Sequence, residues 1–196
     1  PPTGSSFNAV TIGADGVLKP DVGASLSVSG NWANNGTFTH NNGTVTFCNT
    51  TISGGSTTSL YNVISDTGCV LTGPAGNLNV AGNWTDTNGN FAHNNGTVTF
   101  NGSGDQTISS NSASNTLNNL TVSKSGGTLS VGGSITAVDV NGTLTLNAGT
   151  FSAPSSVSVS GDWINNGGTF TPGSGTVAFD GSVAQAIRGS ATTQTF

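Results

Sequence analysis

One block of sequence recurs three times in this chain, and its spacing limits the fold more than any other feature. LSVSGNWANNGTFTHNNGTVTF at 26–47 is matched by LNVAGNWTDTNGNFAHNNGTVTF at 78–100 and by VSVSGDWINNGGTFTPGSGTVAF at 157–179. Each copy runs on into a short apolar piece, TIS at 51–53, TIS at 107–109 and AIR at 186–188, and then into a Leu or Phe motif. A unit of this kind cannot bury its apolar side alone, so repeats stack. Trp32 to Trp84 is 52 residues and Trp84 to Trp163 is 79, a difference of 27 that reads as one inserted turn. The Leu/Phe position gives 53 residues from Phe7 to Leu60, 57 from Leu60 to Leu117 and 79 from Leu117 to Phe196. Taken as two, two and three turns, these 189 residues predict an all-β, parallel β-solenoid of about seven rungs of about 27 residues each.

Strand-sized runs such as TVTF and LTVS alternate apolar with small polar residues, so one side packs inward while the other meets water. Trp, Phe and Leu recurring at one phase would then form internal ladders. Between the strands NNG, NG and GG supply the positive φ that corners need. Residues with high helix propensity are scarce and Ser, Thr, Asn and Gly dominate, which predicts almost no helix. The competing architecture is an antiparallel sandwich or jelly roll, since GTFTHNNGTVTF can also form a hairpin around His40 to Gly43. A sandwich gives no reason to insert one turn-sized piece and resume in phase. The chain divides into an extended segment and partial repeat at 1–25 and solenoid repeats at 26–196, with units near 26–77, 78–128 and 129–196. LSVGGSITAVDVNGTLTLNAGTFSAPS at 129–155 departs from the unit and reads as the extra rung.

The pattern GNW..NNGTFT..NGTVTF, with NGSGDQTIS and LNNLTVSKSGGTLSV after it, resembles the repeats of large secreted bacterial cell-surface proteins of parallel β-helix, adhesin-like type. The resemblance covers 26–196 in full units and implies export, surface attachment or a role in an extracellular matrix. It brings no catalytic residues with it.

Composition narrows the function. Three basic residues, Lys19, Lys124 and Arg188, cannot form the stripe that displaces counterions from a nucleic acid. No apolar run is long enough to span a membrane. Cys48 and Cys69 are the only cysteines, and an even count in a secreted-looking chain suggests a disulfide over two separate buried thiols. The eight acidic residues are all Asp and stand mostly beside turn formers, which suits corners better than the paired carboxylates of a glycan-cleaving β-helix. His40 and His93 share one repeat position, but Pro172 fills it in the third copy, so no imidazole chemistry is expected there. We therefore expect no enzyme and no cofactor, with NGSGDQTIS at 101–109 the one faint likeness to a calcium-binding turn.

Two surface features and the ends complete the reading. Asn-x-Ser/Thr sequons at Asn35, Asn42, Asn49, Asn83, Asn95, Asn101, Asn119 and Asn141 would accept glycans in an exported chain, although Asn-Gly-Thr is also good turn-then-strand chemistry. Thr37/Thr39, Thr44/Thr46, Thr97/Thr99 and Thr143/Thr145 could stack into a flat Thr array of the ice-binding kind. Phe7 and Phe196 sit at one repeat phase, so a second copy would continue the solenoid in register. PPTGSSFNAVTIG is extended, its prolines fit only outside a paired ladder or at its edge, and Phe7, Val10, Ile12 and Phe196 are the expected assembly residues. The expected function is a structural subunit of an extracellular filament or surface fibre, a head-to-tail homopolymer with itself as partner. The alternatives are a segment of a long cell-surface adhesin and a glycan-binding or glycan-cleaving β-helix.

Overall fold

The computed structural model describes residues 4–191 and 193–196, so Pro1 and Pro2 lie outside the described residues. Every strand pairing among those residues is parallel, no helix is present, and the chain winds as a β-solenoid of nine turns with three faces each. The first face stacks Ser5–Phe7, Ser25–Val28, Thr44–Phe47, Asn62–Ser65, Trp84–Asp86 and Gln106–Ser110, then the far half of Asn119–Gly133, the far end of Leu144–Ser152, and Thr169–Thr171. The second runs from Val10–Ile12 through Trp32–Asn34, Thr50–Ser53 and Leu71–Thr72 to Ala92, and resumes from Ser114–Leu117 to Thr176–Phe179. The third begins at Val17–Leu18 and Thr37–Phe38, and later holds Asn77–Val80, Thr97–Phe100 and Trp163–Asn165. Asn119–Gly133 and Leu144–Ser152 are long because each bends round a corner, pairing with the third face at one end and the first at the other.

The solenoid is as the sequence predicts, but its turns are shorter and more numerous than the seven rungs expected. Thr44 and Asn62, register partners on adjacent turns, are separated by 18 in sequence, and Thr85 and Ser109 by 24. Counting strands from Trp32 on the second face of turn two to Trp84 on the first face of turn five gives eight faces, two and two-thirds turns. Eleven faces lead on to Trp163, on the third face of turn eight. The repeat therefore does not come back to its own face, and each copy is rotated by one face against the last. The Trp residues accordingly form no ladder at one phase, and the three side chains enter the core from three sides. Each does so in the same way, edge-on to the Phe of the next face: Trp32 on Phe38, Trp84 on Phe91 and Trp163 on Phe170, all with centroids 4.8 Å apart.

Alternation sets the core. In Thr44–Phe47, Val45 and Phe47 are buried while Thr44 and Thr46 face outward, and the same pattern recurs in Thr97–Phe100. At the HNNG corners Asn41, Asn42, Asn94 and Asn95 take positive φ, which Asn tolerates. The glycine that follows lies so close to the turn below that a Cβ on Gly96 would stand 2.0 Å from the Pro74 carbonyl oxygen. Between turns, corner Asn and Asp side chains accept from the backbone one turn later: Asn83 Oδ1 from Thr107 N at 2.9 Å, Asn119 Oδ1 from Thr143 N at 2.8 Å, Asp162 Oδ1 from Ala186 N at 2.9 Å. The equivalence of Asn83 and Asp162 shows that an oxygen, not a charge, is what that corner uses. At about 4.8 Å per turn the nine turns span about 43 Å.

Candidate functional site

The expected assembly residues fall on the first and last turns. Val10 and Ile12 are buried on the inner side of the first turn, beside half-buried Phe7. With Gly13, Gly16 and Leu18 they line a cavity of about 350 Å³. Val17 on the same turn is 67% exposed. At the other end Phe196 is 48% exposed and packs on Trp163, Phe170 and Phe179, with Ile187 exposed nearby. The Trp163 indole N–H and the Asn165 amide both donate to Gln194 Oε1, at 3.1 Å each, which seats residues 193–196 over the last turn. On the first turn, Val10 N donates to Asn31 O, so strand alternation turns the N–H of exposed Thr11 away from turn two.

Cys48 and Cys69 are joined in a disulfide between turns three and four, with Cα atoms 4.8 Å apart. Of the sequon residues, Asn35, Asn42, Asn49, Asn83, Asn95, Asn101 and Asn141 are exposed or partly exposed, and Asn119 is half-buried. Asn35, Asn49 and Asn83 use the side-chain oxygen as acceptor, from Gly55 N, Val70 N and Thr107 N. In half-buried Asn119 the amide nitrogen donates to Thr97 Oγ1 and in Asn141 it lies 3.2 Å from His93 Nε2, so in these two sequons the atom that would carry a glycan is already engaged. The Thr-x-Thr pairs are split between faces: Thr44/Thr46 lie on the first, Thr97/Thr99 and Thr145 on the third, where the row continues through Thr121.

Histidine serves the corners. His40 Nδ1 accepts from Asn42 N and His93 Nδ1 from Asn95 N, each at 3.1 Å, and burial lowers the pKa of His40. Several carboxylates are hydrogen-bonded or ion-paired. Asp139 accepts from Ser114 and Ser158 at 2.7 Å, Asp180 from Ser160, Asp66 from Thr67 N, and Asp162 meets Arg188 at 2.7 Å. Among the described residues no group of three or more His, Cys or Asp is placed to hold a metal ion. In the NGSGDQTIS corner two backbone carbonyl oxygens and one side-chain amide oxygen accept from an ammonium. Lys124 Nζ donates to Gly102 O at 3.2 Å, Gly104 O at 2.8 Å and Gln106 Oε1 at 2.6 Å.

Two charged residues with unusual surroundings escape sequence reasoning. Lys124 is only 1% exposed; burial lowers its pKa and the charge of Asp105 partly offsets this. Asp86 is also 1% exposed, flanked on the first face by inward Ser65 and Ser110. Its carboxylate accepts from Phe91 N at 3.1 Å and Asn90 N at 3.3 Å, yet burial outweighs these bonds and raises its pKa. The period of two could have found it, since inward Trp84 makes Asp86 inward as well. A group whose folded pKa is raised binds its proton more tightly in the folded state. Its stabilising contribution is therefore complete below the ordinary Asp range and falls as pH rises towards the folded value. Asp86→Asn, which restores the residue type of Asn34 and Asn165, should flatten that part of the stability curve. Urea midpoints of both proteins from acid to mildly alkaline pH would check it, and parallel curves would refute the assignment.

These features define a three-faced parallel β-solenoid, stapled once by a disulfide and capped at its corners by Asn, Asp and Gln side chains. No protein-family model, curated protein or solved structure matches the chain. Among the described residues no helix is long and apolar enough to cross a membrane.

Proposed function

We propose that this chain is a structural, non-catalytic element of an extracellular filament or surface fibre, extended head to tail by a second copy of itself. The observation that carries this reading is the phase of the repeat. Phe7, Leu60, Leu117 and Phe196 hold one repeat position. On the fold Phe7 to Leu60 and Leu60 to Leu117 are eight faces each; Phe196 follows the last strand, and the eleven-face step from Trp84 to Trp163, carried onto the third interval, brings the sum to twenty-seven faces or nine whole turns. After three copies the pattern is back on its starting face, and a following copy continues the three sheets with no rotation. Exposed apolar side chains on the first and last turns, Val17, Ile187 and Phe196, give that contact a hydrophobic component. Edge pairing supplies backbone hydrogen bonds, and a contact that does not close on itself generates a fibre. An oxidising extracellular setting suits the disulfide. Exposed sequons such as Asn95 leave room for attached glycans.

Thr11→Pro tests the reading directly. Proline removes an N–H that points away from turn two, so the fold should persist, while pairing across the first turn is lost. Electron microscopy should show fibres from the unmodified chain and folded monomers from the variant; equal fibres from both would refute strand addition. The same phase rule serves a repeat within one long adhesin chain, and the intact mass of native material separates the two. A mass near 19.3 kDa with fibres present fits the homopolymer, and a mass several times larger fits the adhesin.

A further inference from the structure

The three copies of the repeat treat one buried indole N–H differently. Trp32, Trp84 and Trp163 are all 1% exposed or less. In the third copy the N–H of Trp163 donates to Gln194 Oε1, which also accepts from Asn165. The residues standing in place of Gln194 are Thr58 in the first copy and Asn115 in the second, by alignment of GSTTSL, SASNTL and SATTQTF on Leu60, Leu117 and Phe196. Both side chains are shorter than that of glutamine. Thr58 Oγ1 still accepts from Asn34 Nδ2 at 3.4 Å, but Trp32 Nε1 has no partner. In the second copy Trp84 Nε1 and both polar atoms of Asn115 are unpartnered, as is Ser65 Oγ on the turn before. Among the described residues, four of the five buried side-chain atoms without a partner thus lie on turns four to six, the stretch that holds Asp86 between its register neighbours Ser65 and Ser110.

Buried polar groups left unbonded are costly, and proteins resolve them with enclosed water that makes about three hydrogen bonds. We propose that turns four to six hold a buried water site, in which a water molecule takes the place of the Gln194 carboxamide. It accepts from the Trp84 indole N–H and donates to the Asp86 carboxylate and to Asn115 Oδ1. The donor and acceptor set selects water. An anion would face the Asp86 carboxylate, and a cation would face the indole N–H. The first copy has the smaller version of the same site, on Trp32 Nε1 beside Thr58.

The chain has three Trp residues, so the indole N–H signals of ¹⁵N-labelled protein can be assigned by single substitution. Cross-peaks to long-lived water are expected from Trp84 and Trp32, and none from Trp163. Asn115→Gln rebuilds the third-copy arrangement and should abolish the Trp84 cross-peak while leaving that of Trp32; Thr58→Gln should do the reverse. A Trp84 signal with no water cross-peak, or one unchanged by Asn115→Gln, would overturn the assignment. Should a variant fail to fold, a high-resolution crystal structure of the unmodified chain decides the matter. Water density within hydrogen-bond distance of Trp84 Nε1 and Asn115 supports the site, and a direct bond between those two groups refutes it.

Discussion

Trp84→Ala is expected to cost about 3–5 kcal/mol, the range for removing a fully buried Trp from a core that cannot close over the gap. Trp84 is 1% exposed, meets the edge of Phe91 and sits between Val63 and Ile108 in the stack of the first face. A three-faced interior is one side chain deep, so no second layer can move in to fill the space. For a chain of this length that loss corresponds to a fall in melting temperature on the order of 10 °C. Thr85→Ser, one residue on and facing outward, should change stability by about 0.5 kcal/mol or less. Thermal melts of the two variants would check the contrast, and similar shifts in both would contradict the inward placement of Trp84.

Losing the Cys48–Cys69 bridge should cost about 3 kcal/mol, from the loop-closure entropy regained by the unfolded chain across a separation of 21 residues. The effect should be local as well as global. In a solenoid each turn contacts only its neighbours, so an untied pair of turns opens without disturbing the remainder. Hydrogen exchange of the Cys48→Ser, Cys69→Ser double variant should accelerate across turns three and four and change little beyond turn seven. Uniform acceleration along the chain would show that the solenoid unfolds as one unit and that the staple acts only through the denatured state.

The parallel solenoid was legible because its causes are local. TVTF, NNG and the recurring Trp state the strand period, the corner and the stacking unit within a few residues of each other. The number of turns was not legible from Trp or Leu/Phe spacing alone, because those spacings count returns of the motif rather than returns to a face. The interval from Trp32 to Trp84 holds eight strand positions, and eight is not divisible by three. The Cys48 to Cys69 separation of 21 was the better ruler, since a bridge between stacked turns measures one turn directly. Lys124 could not be read at all. Its partners Gly102 O, Gly104 O and Gln106 Oε1 lie 18 to 22 residues away and come together only through winding. Asp86 looked like the other Asp residues in turns because its neighbours Thr87, Asn88 and Gly89 are turn formers, although its own side chain points inward.

The one-face rotation of the repeat also governs what the rod shows to its surroundings. The HNNG corner at His40–Gly43 joins the third face to the first, whereas that at His93–Gly96 joins the second to the third. The same small landmark therefore looks out along two different azimuths, about 13 Å apart along the axis for two and two-thirds turns at about 4.8 Å each. A stack of such rods carries its landmarks as a spiral staircase rather than a stripe. A bivalent partner gripping two of them must reach around the shaft, and separate rods can be cross-linked side by side from several directions at once.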